Sequence, residues 1–293
     1  MKVLLTGGSG FIGRNILESY LAGKHTFYAP RHKELDLLDE QAVRDFFTAH
    51  NIDVVIHGAV RPGHRNATDP SNQLYQNTRM FFNIVRNANR FDKMIYLGSG
   101  LVYDVRHYVP KMKEAYYDTH VPVDEGGFSK YIIAKYIEHV DNIVELRIFG
   151  IYGKYEDYAI RFISNAICKT IFDLPITIKQ NRRFDYIYID DLMPIVDYFI
   201  RNRGAYKNYN ITPDNSAELK HLAEKIRTVS NKDVPIRIAQ EGMGPEYSGD
   251  NHRLREEIPS LVLTPPDEAI RQLNGWYKDN IQTINREALL IDK

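Results

Sequence analysis

The chain has a single cysteine, Cys168, among its 293 residues. Without a second thiol no internal disulfide can form, and a cysteine-rich metal site is excluded. Cys168 lies in FISNAICKTIF, an apolar helical pattern in which it reads as a small buried hydrophobe. Net charge is also lacking, since 38 lysines and arginines meet 38 aspartates and glutamates. That balance argues against nucleic acid or an anionic membrane as partner, but leaves small anionic ligands open. No stretch approaches the roughly 18 apolar residues of a membrane span. The N-terminal apolar run stops at Leu5, so no secretory signal is expected and a cytoplasmic protein is. Repeats and low-complexity linkers are absent too.

What the chain does have is alternation. The apolar runs KVLLT, HTFYA, DVVIH, KMIYL and VELRI are separated by amphipathic segments such as FIGRNILESYLAG, DEQAVRDFFTAH and SKYIIAKYIEHV. Short β-rich runs between helical periodicities predict a parallel sheet with crossover helices. Gly23 is placed to end the first helix, and Asp39 to cap the second. Beyond about residue 153 the pattern loosens. Helical stretches at 157–171, 191–203, 216–228 and 266–273 are interleaved with short strands near ITIK, YIYI, YNI and PIRI.

The first strand runs directly into TGGSGFIG. Gly8-Ser9-Gly10-Phe11-Ile12-Gly13 fits G-x-G-x-x-G, and Gly7, Gly10 and Gly13 also give G-x-x-G-x-x-G. Such glycines allow a tight turn and close approach of backbone to a pyrophosphate, which then meets free N–H groups at a helix start. A purely structural turn is the plain alternative, but strand before and helix after is the context a dinucleotide site requires. Gly7, Gly10, Phe11, Ile12 and Gly13 are therefore expected to hold the cofactor. At the end of the second strand, where NAD sites place an acid, this chain has Tyr28-Ala29-Pro30-Arg31-His32-Lys33. Arg31 and His32 would pair with a 2′-phosphate that an acid would repel. NADP is thus expected over NAD, with Asp36 and Leu37 edging the adenine.

The expected fold is α/β: a Rossmann-type doubly wound parallel sheet with a smaller α/β substrate lobe at the C-terminal end. The sheet domain is drawn over 1–153 and roughly 184–212, and the lobe over roughly 154–183 and 213–293.

Tyr131 and Lys135 form Y-x-x-x-K, one helical turn apart on one face. An ammonium beside a phenol favours its ionised form and eases proton exchange with a substrate oxygen. Tyr20 and Lys24 match the spacing too, but straddle Gly23 far from the strand ends where ligands lie. Ser99, in LGSGLVYD after the fourth strand, could hydrogen-bond the oxygen that Tyr131 protonates. Alone it would read as a loop serine.

In order along the chain, TGGSGFIG, DVVIHGA, GSGLVY, YIIAK, LRIFGIYG and YIYIDD resemble the motifs of the extended short-chain dehydrogenase/reductases that act on nucleotide sugars. KELDLLDEQAVRDFF and YQNTRMFFNIV look most like the branch of 4-keto sugar reductases related to GDP-fucose synthase. The resemblance covers most of the chain. It implies Ser99, Tyr131 and Lys135 as catalytic residues, His57, Gly58 and Ala59 along the cofactor, and a nucleotide-diphosphate sugar as substrate. It also implies a homodimer through the helices at 71–90 and 128–140.

Departures from that pattern narrow the chemistry. Dehydrating relatives carry Thr-Asp-Glu where this chain has Ser99, Gly100 and Leu101, so the acid and base for removing water are missing. Leu101 also stands where the epimerising reductases have a cysteine. NADPH-dependent reduction of a 4-keto group is the expected reaction, with Tyr131 as proton donor. An NAD-dependent 4-epimerase and a non-catalytic NADP-binding regulator are the alternatives. On the substrate side, Tyr103, Lys154, Arg183, Tyr247 and Arg253 are the candidates. Asp190 and Asp191 look like paired metal acids, but Asp191 is better placed as a helix cap, and no metal is expected.

Overall fold

The computed structural model describes residues 1–63 and 71–291. Among the described residues are twelve strands and ten α-helices. They are β1 (Lys2–Thr6), α1 (Phe11–Glu18), α2 (Leu21–Lys24), β2 (Thr26–Tyr28), α3 (Glu40–Ala49), β3 (Val54–His57), α4 (Gln73–Val85), β4 (Lys93–Ser99), α5 (Glu125–Ile137), β5 (Ile143–Ile148) and β6 (Gly150–Tyr152). The chain continues through α6 (Phe162–Ile171), β7 (Ile176–Asn181), β8 (Arg183–Phe184), β9 (Tyr186–Tyr188), α7 (Ile189–Arg201), β10 (Asn208–Ile211) and β11 (Ala217–Glu218). It ends with α8 (Leu219–Ser230), β12 (Ile236–Met243), α9 (His252–Glu257) and α10 (Pro266–Asp279).

Six strands build one parallel sheet in the order β10-β5-β4-β3-β1-β2. Its strands are apolar on both sides because helices cover both faces. Val3 and Leu5, Val54 and Ile56, Ile95 and Leu97 point into one core. Leu4, Val55, Met94 and Tyr96, one residue out of step, point into the other. The strand order reverses between β1 and β3, where Thr6 pairs with His57. Beyond the carboxyl ends at such a switch point lies the crevice where ligands bind.

The remaining strands form two-stranded pairs: β7 with β12, β6 with β9, and β8 with β11. Asp39 caps α3 as expected, accepting from the N–H groups of Gln41 and Ala42 at 2.9 and 3.1 Å. Two local expectations fail. Gly23 does not end α1, which stops at Glu18; it lies within the short α2. Asp191 does not cap α7, which begins at Ile189; its carboxylate instead accepts from Thr264 N–H and Oγ1, tying the helix to the segment before α10.

Candidate active site

A cleft of about 1640 Å³ opens over the carboxyl ends of the main sheet. That exceeds the several hundred Å³ of an ordinary small-molecule pocket and has room for two sizeable ligands. One end is the glycine loop. Gly7, Gly10, Phe11, Ile12 and Gly13 all line it, as do Gly58 and Ala59 across the switch point. The glycines are forced by geometry. Gly7 has φ +75°, and a Cβ there would lie 2.8 Å from the backbone of Gly58 and Ala59. At Gly13 a Cβ would meet the Gly7 carbonyl oxygen at 2.3 Å. Gly10 precedes α1 without a side-chain cap, which leaves first-turn N–H groups for an anion. These residues fit a dinucleotide pyrophosphate.

His57 does not line the cleft. It is 1 % exposed, and burial pushes its imidazole down to about 3, so the ring is neutral. Its Nδ1 lies 2.7 Å from Thr6 Oγ1, which accepts from the N–H groups of Gly58 and Ala59. His57 therefore positions the Gly58–Ala59 backbone that lines the cleft. At the end of β2, His32, Asp36 and Leu37 are in the wall. Arg31 is not; its N–H donates to Glu34 Oε2 at 2.7 Å in a tight turn that leaves the side chain outside.

The other end of the cleft departs most from expectation. Ser99 lines it, its Oγ accepting from Leu101 N–H at 3.2 Å. Tyr131 and Lys135 do not line it. Asp118, in the left-handed backbone region at φ 72°, takes the Tyr131 hydroxyl on one carboxylate oxygen and the Lys135 ammonium on the other. The Asp118 carboxylate beside them raises both groups, so Lys135 does not activate Tyr131 here.

What α5 turns into the cleft instead is Gly126 and Lys130, a pair with the same four-residue spacing. One residue is about 100° of rotation around a helix, so the pair at 131 and 135 faces elsewhere. Lys130 Nζ donates to the Tyr96 hydroxyl at 2.9 Å over the floor of the sheet, and burial pushes its ammonium down to about 8. The position that would carry the phenol is Gly126. Sequence reasoning missed Lys130 because it looked for a tyrosine four residues earlier; the signal available was the FSK tripeptide entering the helix after its Asp124 cap.

Of the substrate candidates, only Tyr247 lines the cleft. Tyr103 is 2 % exposed and belongs to a buried network under the floor, donating to Asn210 and accepting from Arg147, itself paired with Glu145 at 2.8 Å. Lys154 is paired with Glu18 at 2.9 Å. Arg183 donates to the Ser216 carbonyl, and Arg253 to Asn208. Besides Lys130 and Arg61, the cations Arg161, Lys179 and Arg182 line the cleft, the last lying over the Phe184 ring. The expectation for Arg183 misses by one: Arg182, between β7 and β8, is the arginine in the wall. Among the described residues no group of three His, Cys, Asp or Glu side chains could hold a metal ion, and no helix is long and apolar enough to cross a membrane.

Comparison with known proteins agrees with this architecture. GDP-L-colitose synthase of Yersinia pseudotuberculosis is 25% identical over 267 residues, covering 80% of this chain and 87% of that protein. The crystal structure of a GDP-L-fucose synthetase from Naegleria fowleri superposes with a TM-score of 0.83 at 15% identity, covering 97% of this chain and 94% of that one. The NADP-bound GDP-mannoheptose C4 reductase of Campylobacter jejuni does so at 0.78 and 20% identity, covering 94% and 98%. The model of the NAD dependent epimerase/dehydratase family matches residues 3–212, and the chain belongs to that family.

Proposed function

We propose that the protein reduces the 4-keto group of a nucleotide-linked sugar with NADPH. The observation that carries this reading is what the chemical end of the cleft contains: a serine hydroxyl and a lysine beside a dinucleotide site, with Gly100 and Leu101 where water removal would need carboxyl groups. Bound NADPH supplies a hydride, and the remaining work falls to the chain. Ser99 donates to the developing oxyanion at the former carbonyl, and Lys130 lends positive charge to the same region. Arg182, Lys179 and Arg161 offer charge-assisted partners to a diphosphate at the far end. The relatives named for GDP sugars and the NADP-bound heptose reductase support substrate and cofactor alike. His32, in the wall beside Asp36 and with neutral residues directly after β2, is a partner for a 2′-phosphate.

A homodimer through α4 and α5 belongs to the same reading. Their outer faces share a hollow formed by Leu74, Tyr75, Phe82 and Ile132, with Tyr75 64% exposed. The test of the function is NADPH consumption with GDP-, CDP-, dTDP- and UDP-linked 4-keto-6-deoxy sugars, the product solved by NMR. Loss of NADPH with a new 4-hydroxyl is the expected result. Interconversion of unoxidised nucleotide sugars without NADPH loss would replace the reductase by a 4-epimerase.

A further inference from the structure

If α5 presents Gly126 where a phenol is needed, the proton for the reduced oxygen must come from elsewhere. We propose that Tyr247, delivered by the C-terminal part of the chain, is the proton donor, with Tyr108 behind it as a second phenol in line. This rests on the reductase reading above and names its missing group.

The Tyr247 hydroxyl interacts with the Ser99 side chain and with the Tyr108 phenol, against the backbone of Gly100. The ring is 7% exposed, clamped between Phe149 and Phe184 at 4.9 and 4.7 Å between centroids, with Tyr108 at 5.0 Å. Its backbone is fixed as well, since Tyr247 N–H donates to the Arg183 carbonyl and its own carbonyl accepts from Asp185 N–H. A phenol held on three sides with its hydroxyl at the serine is a preorganised donor.

Gly100 gives an independent indication. A Cβ at that position would stand 2.3 Å from the Tyr247 hydroxyl oxygen and 3.1 Å from the Phe149 ring. The residue after Ser99 is kept without a side chain, and the phenol takes the space. Tyr108 lines the same cleft, its phenol against that of Tyr247.

The step balances. The C4 carbonyl gains a hydride from NADPH, the π electrons move to O4, and O4 takes the Tyr247 hydroxyl proton. NADPH is oxidised, the sugar is reduced, and the tyrosinate recovers a proton from Tyr108 or solvent. The charged or titratable groups around Tyr247 are Asp185, Tyr103 and Tyr108. Burial and these neighbours keep the phenol protonated at neutral pH, so it enters each cycle loaded.

The test pairs kinetics with spectroscopy. Tyr247→Phe keeps the ring and its packing; it should lower kcat about 100-fold or more, with KM and NADPH affinity within about threefold. Independently, tyrosine labelled with 13C at Cζ is followed by NMR, signals being assigned by loss in Tyr247→Phe and Tyr131→Phe. NADP+ should shift the Tyr247 signal and leave that of Tyr131 in place. Full activity of Tyr247→Phe, or a Tyr131 shift without a Tyr247 shift, overturns the proposal. If no 4-keto sugar is turned over by the parent protein, the reductase reading fails; the NADP+-induced shift then still decides whether Tyr247 stands at the reacting centre.

Discussion

The two ends of the cleft answered to the sequence in opposite ways. At the glycine loop, Gly7, Gly10, Phe11, Ile12 and Gly13 all stand in the wall where their pattern placed them. At the α5 end, Tyr131 and Lys135 match an equally simple pattern and are tied to Asp118 outside it. The difference lies in what each pattern constrains. A glycine at φ +75°, or one whose Cβ would strike a carbonyl at 2.3 Å, is demanded by backbone geometry a few residues away. A four-residue spacing is satisfied on every face of a helix. Which face meets the ligand is decided by packing against distant elements, here Ser129, Ile133, Ala134 and Ile137 turning inward.

Replacing lysines on the two faces of α5 should break that symmetry most visibly. Lys130→Met is expected to lower kcat/KM about 100- to 1000-fold, whereas Lys135→Met should stay within about threefold of the parent. NADPH oxidation measured side by side checks both; equal losses would mean that the cleft register is wrong. At the opposite end, Gly13→Ala must move the Gly7 carbonyl or α1 itself. NADPH affinity by calorimetry should fall at least 100-fold, about 2.7 kcal/mol. The corresponding change at Gly23, with nothing within 4 Å of its Cβ position, should leave affinity unaltered.

A smaller effect distinguishes the two lysines by pH. Burial disfavours the Lys130 ammonium, so its midpoint is lowered to about 8. Below that pH it is charged; above it the charge is lost, and kcat/KM should fall by up to tenfold per pH unit. The Asp118 carboxylate holds Lys135 above its usual value, so Lys135 stays charged over the same range. Lys130→Arg, whose guanidinium does not titrate there, should keep partial activity and lose this limb of the profile.

Much of the rest was legible for the reason that served the glycine loop. KVLLT, DVVIH, KMIYL and VELRI became β1, β3, β4 and β5 because apolar β-rich runs of that length are buried on both faces whatever the loops do. Side-chain roles at a distance were not legible. Lys154 found Glu18, Arg253 found Asn208, and Tyr103 sank into the Arg147–Glu145 network, all through partners far off in sequence. Ser99 and Tyr247 were each recoverable as candidates, but not their proximity, since only the folded chain brings residues 99 and 247 together.

If the chemistry on α5 lies with the Gly126–Lys130 face, the Y-x-x-x-K pair carries no proton to substrate. Turnover of NADPH by Tyr131→Phe tests it most directly, using whichever nucleotide 4-keto sugar the parent protein reduces. A rate within about twofold of the parent is predicted, because the hydroxyl removed is bound to Asp118 and not to substrate. A fall of about 100-fold or more, the signature of a lost general acid, would return the proton to Tyr131.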